Sequence, residues 1–182
     1  MNTLTEILVY FAKYPLKAGA LKLFNKDTSD RFTGYDELKA QITALSTHSL
    51  VPGITDYLFG LDEATLKQKI SAVTGSYLFV DYGHISSDRD HLNRQNDRIL
   101  IAITVATPLI QGSMDLVEQI LLADENLDLL LQVRDIMYED SRHHPFVQQL
   151  SFPNEITPFF AKELSDSTGW TMVLQKTGIG LV

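Results

Sequence analysis

The sequence contains no cysteine, which excludes a disulfide scaffold, a thiolate zinc site, an iron–sulfur cluster and a cysteine nucleophile. Basic residues are the scarcer charge. Fifteen Lys and Arg stand against 23 Asp and Glu, a net charge of −8. Non-specific nucleic-acid binders carry the opposite excess, so no nucleic-acid partner is expected. Long hydrophobic runs are missing too: the longest in the second half, 99–103, falls far below the roughly 20 residues of a membrane helix. The early run 7–12 follows Glu6 instead of a basic stretch, which is not the pattern of a secretory signal. The expectation is a cytoplasmic protein without a membrane partner.

Catalytic signatures are also lacking. There is no G-x-S-x-G elbow and no Walker sequence. Gly178 and Gly180 lack the third glycine and the strand–turn–helix context of a dinucleotide site. Neither a cofactor nor a catalytic residue is expected.

What is present is a chain of 182 residues, 45% hydrophobic and 21% charged, a composition and length that fit one folded domain. Thr3 and Glu6 have capping-box spacing, and Leu4, Ile7, Leu8 and Phe11 fall on one helical face. Further helices are predicted over 35–47 and 63–73, with a short strand over 20–24 and irregular packing over 49–60. Segments 77–82 and 98–106 read as strands, the second buried on both faces. The polar segment 83–97 between them is too long for a tight turn and reads as an extended arm.

Segment 114–139 is strongly helical, with Ser113 as its expected cap and Asp124 or Asn126 able to start a second helix inside it. Unbroken, it would span roughly 39 Å, more than a small core needs. Strands are predicted over 155–160 and 170–175, followed by a loose tail, 176–182. The fold class is therefore α+β: one domain with a small, mainly antiparallel sheet and a long β-hairpin arm, packed against a long helix and N-terminal helices. Residues 1–75 form its mainly helical part and 76–175 its sheet and long helix.

The arm holds the densest set of candidate site residues: His84, Asp88, Arg89, Asp90, His91, Arg94, Asp97 and Arg98. Three readings stand for it. Asp88, Asp90 and His91 are metal ligands of the oxygen and nitrogen kind. Alternatively, the segment is a solvated hairpin whose charges balance. In the third reading it is an inter-subunit arm, with arginines pairing bidentately to carboxylates on a neighbour. His143 and His144 stand where a helix C-terminus favours a cation, with zinc binding or general-base work as the alternative. The single tryptophan, Trp170, reads as core or rim packing.

The block GSYLFVDYG, the polar arm, RILIAITVATPL, the long helix and a late strand opening with GW resemble, in that order, the tail-terminator and tail-completion (minor tail) proteins of tailed bacteriophages, over about 77–175. The resemblance implies a non-enzymatic virion component that forms a homo-oligomeric ring, commonly a hexamer, on the tail tube. It implies tail-tube and head-connector proteins as partners, and a location in the virion or the bacterial host cytoplasm. The hairpin arm would then lie on a ring surface or reach a neighbour. Two other functions are open to the residues: a bacterial protein-interaction module or adaptor of the same fold class, and a metal-dependent hydrolase using Asp88, Asp90, His91 or the His143–His144 pair.

Overall fold

A computed structural model describes residues 3–45, 49–60, 63–89, 95–109, 114–152 and 155–177. The chain forms helices α1 (Thr3–Phe11), α2 (Lys17–Leu21) and α3 (Gly34–Thr43), strand β1 (Ile54–Phe59), helix α4 (Glu63–Ile70), strands β2 (Ser76–Arg89) and β3 (Gln95–Thr107), helix α5 (Leu116–Asp140), and strands β4 (Leu150–Ser151), β5 (Ile156–Ala161) and β6 (Ser167–Thr177). The sheet runs β1-β2-β3-β6, and both β4 and β5 pair with the outer edge of β6. All its pairs are antiparallel except β1–β2. A parallel pair needs a crossover of a dozen residues or more, which the α4 connection supplies. The result is the α+β architecture with a mainly antiparallel sheet that the sequence predicts.

Strand alternation sorts the side chains onto two faces. Ile99, Ile101, Ile103 and Val105 of β3 point to one face with Leu78, Val80, Met172 and Leu174. There they meet Ile7, Tyr10 and Phe11 of α1 and Leu130, Val133 and Met137 of α5. The N-terminal helices thus belong to the same core as the sheet. The opposite face carries a smaller cluster in which Leu66, Ile70 and Val73 cover Leu58, Tyr77, Phe79 and Ala106. Beyond that cover, Leu100 and Val173 on this face remain 38% and 47% exposed, so the expectation that 98–106 is buried on both faces holds only for its second half.

Several local expectations are corrected. Segment 20–24 is not a strand: α2 and a following turn occupy it, because α2 seats closely on the β1 backbone and Gly19 permits the approach. Segment 54–59 is an ordered edge strand, not irregular packing. Most of the polar segment 83–97 is strand: β2 runs on to Arg89 and β3 begins at Gln95. The long helix is unbroken. Asn126 is buried within it as a clamp, accepting from Thr107 Oγ1 at 3.0 Å and donating to the Thr168 carbonyl at 3.3 Å. Lys176 and Thr177 close β6, with Lys176 buried, and do not begin the tail; 178–182 lies outside the described residues.

Candidate functional site

The hairpin of β2 and β3 is the segment the sequence singles out. It pairs from Tyr77–Ala106 down to Arg89–Gln95, with one irregularity between Asp81 and His84. Strand β6 accompanies β3 only as far as Arg98, and β1 accompanies β2 only over 76–80. The last three pairs, Ser87–Asp97, Asp88–Asn96 and Arg89–Gln95, therefore have no flanking strand among the described residues. At about 3.4 Å per residue they carry the hairpin some 10 Å beyond the sheet before its tip.

The candidate residues of this arm do not converge on one point. His84 is exposed opposite Leu100, and Arg89 is exposed near the tip. Asp97 is buried, and its carboxylate accepts a hydrogen bond from Ser87 Oγ across the strands at 2.5 Å. Arg98 lies on the other face, with its Nε buried and without a hydrogen-bond partner among the described residues. Asp88 holds a strand position opposite Asn96. Asp90, His91 and Arg94 lie outside the described residues. Among the described residues no group of three His, Asp or Glu side chains is placed to hold a metal ion.

His143 and His144 meet their helix end differently from the expectation. Their backbone amides donate to the Asp140 carbonyl at 2.9 and 2.7 Å. The His144 ring packs edge-on against Tyr10, with centroids 5.0 Å apart, and burial pulls its pKa below the ordinary histidine value. Trp170 is half-buried, and its indole N–H donates to the Ala123 carbonyl at 2.9 Å, fastening α5 to β6.

A second feature was only half legible. Helix α5 opens with a capping box: the Asp115 carboxylate accepts from the Glu118 amide at 2.9 Å, and the Glu118 carboxylate accepts from the Asp115 amide at 2.8 Å. Asp115, not Ser113, is the cap; Ser113 lies outside the described residues. The first buried residue of the helix is Asn126. Leu122 and Ala123 before it are already half-buried, with Ala123 held by Trp170, so at 1.5 Å per residue Leu116 stands about 9 Å up the axis from the first packed turn. In that projecting piece Leu116, Val117, Ile120 and Leu121 are 71%, 62%, 54% and 57% exposed. The sequence marks this stretch as helical, which the structure bears out, but these four side chains are not covered by the core. At 3.6 residues per turn these four lie well around the helix from the buried stripe Asn126, Leu130, Val133 and Met137, so they face away from the sheet.

The two projections leave the molecule at opposite ends. Asn126 bonds to Thr107 and Thr168 at one end of the sheet, and the last described hairpin pair, Arg89–Gln95, lies beyond Arg98 and Thr177 at the other. No helix among the described residues is long and apolar enough to cross a membrane. No protein-family model, curated protein or solved structure matches the chain.

Proposed function

We propose that the protein is a non-enzymatic assembly subunit that forms a homo-oligomeric ring, as the resemblance to tail terminators implies, and that its copies associate head to tail through the projecting start of α5. The observation that carries this reading is the capped, preformed helix start with four large apolar side chains in water. Covering one such side chain fully is worth about 1.5–3 kcal/mol, so the four together form a strong drive for association. A helix start without tertiary contacts would ordinarily fray, and the capping box holds this one in shape.

The surface distribution favours a ring over a two-fold dimer. A ring needs one patch to meet a different patch on the next copy. The α5 start lies on the helix-covered side of the sheet, whereas Leu100 and Val173 form a separate exposed apolar pair on the opposite face. The hairpin arm, at the far end, supplies further polar contacts for a neighbour or a tail tube.

Light scattering after size exclusion tests the proposal. The wild type is expected at a discrete multiple of 20.5 kDa, six-fold if the ring follows the resemblance. Leu116→Lys with Ile120→Lys should yield a folded monomer with unchanged thermal stability. A wild type that stays monomeric at all accessible concentrations, or a doubly substituted protein that keeps the full mass, would overturn the reading.

A further inference from the structure

A cavity of about 400 Å³ opens between the turn after α2 and helix α4, above β1. Leu58 and Val73 form its floor, and Lys22, Gln68 and Lys69 stand on its walls; Tyr57 borders it too, but its ring lies in the core on the other face of β1, where it donates to the Leu8 carbonyl at 3.1 Å. The one carboxylate in the lining is already engaged. Asp56 is buried; one oxygen accepts from Lys22 Nζ at 2.5 Å and the other from Thr55 Oγ1 at 3.0 Å. Lys69 differs from Lys22 in having no carboxylate partner among the described residues. Its ammonium donates to the Lys22 carbonyl at 3.2 Å, which uses one of three N–H donors. The lining thus holds two ammonium groups and one carboxylate, a net positive charge in a protein whose total is −8.

We infer that this cavity binds a small organic anion, with a carboxylate or phosphate head on Lys69 and an apolar body on the Leu58–Val73 floor. A half-buried ammonium bonded only to a backbone carbonyl gains most from an anion that brings its charge into the same partly desolvated space. In agreement, burial holds the Lys69 ammonium below the ordinary lysine range, the direction that a bound anion reverses. Gln68 on the wall offers amide donors to the same head group. The site stands apart from the α5 start and the hairpin, so it fails or survives independently of the assembly reading.

The test is a titration of the full ¹⁵N-labelled chain with benzoate, phenyl phosphate and, as the cationic counterpart, benzylamine, followed by amide chemical shifts. Saturable shifts are expected for benzoate, phenyl phosphate or both, centred on residues 56–58 and 65–73, and which anion binds tighter assigns the head group. Lys69→Met should weaken that binding by about tenfold or more, and Lys69→Arg should restore most of it. Gln68→Glu, an exposed change that leaves the Lys69–Lys22 contact alone, should weaken the anions and not benzylamine. The inference is overturned if neither anion moves these amides at about 10 mM, if benzylamine moves them equally, or if Lys69→Met binds as the wild type does. The same spectra show whether each variant is folded.

Discussion

Lys13 lies almost out of water, its side chain 11% exposed, with its ammonium on the Asp140 carboxylate. Tyr10 donates to the same carboxylate oxygen at 2.7 Å and shares a 2.9 Å hydrogen bond with Tyr14. The two partners of the ion pair respond unequally. Burial pulls the Lys13 ammonium down, against the upward pull of its bond to Asp140, and burial wins. Burial pushes the Asp140 carboxyl up, but the bonds from Lys13 and Tyr10 outweigh it and hold the group below its usual value. The desolvation cost falls on the more enclosed lysine. Such a pair contributes little net stability, yet removing one member is costly.

Asp140→Ala should therefore lower stability by about 2 kcal/mol, a fall in Tm of about 4–8 °C. Lys13→Met with Asp140→Leu, which removes both charges, should recover most of that loss in a thermal melt. The acid limb follows by sign. A carboxyl with a lowered folded-state pKa contributes stability that is complete above its ordinary value of 3.8 and is lost as pH falls through the lowered one. The wild type should thus lose Tm more steeply than the doubly substituted protein below about pH 4.

At the scale of elements, close backbone approach decides the junction of β3 and β6. A Cβ on Gly169 would stand 2.0 Å from the Val105 carbonyl oxygen and 2.6 Å from the Ala106 Cα, both backbone atoms of β3. Gly169→Ala should split β3 from β6 at the point where Trp170 and Thr168 fasten α5, costing about 2 kcal/mol. Gly34→Ala, in the first turn of α3, meets nothing within 4 Å and should stabilise slightly, by about 0.5 kcal/mol. Comparative urea melts of the two variants check both expectations.

The elements that were legible in the sequence are those with a sustained period. Strand β3 shows a nearly continuous apolar run because one face lies on the main core and the other is covered at Thr104 and Ala106, and α5 repeats its apolar positions over many turns. Strand β1 was hidden by its shortness and by the punctuation of Pro52, Gly53 and Gly60 around it. Helix α2 is five residues long, too short to express a helical period, and Leu21 and Leu23 around Lys22 imitate strand alternation. The arm was found as a polar hairpin, but its polarity concealed how far the strand pairing continues into it, down to Arg89–Gln95. The anion-binding lining was not legible at all: Lys22, Asp56 and Lys69 come from three separate elements, and no motif links them.

At the scale of the whole molecule, the chain builds more than its core requires. The sheet has a helix layer on one face and partial cover on the other, while the α5 start and the hairpin extend beyond opposite ends. Elements that outrun the core that stabilises them have to find their contacts elsewhere. In the proposed assembly these are the features that link sequence to function: a long helical period, a capping box that keeps its free end folded, and a hairpin continued by strand pairing past the last flanking strand.

The most direct measurement is hydrogen–deuterium exchange of the amides of 117–122 as protein concentration is raised. If the α5 start is the contact between copies, exchange there should slow by about tenfold or more across the concentration range in which mass rises, while amides in other exposed turns stay unchanged. Exchange that remains fast and independent of concentration in this segment, while mass rises, would place the contact elsewhere and contradict the account.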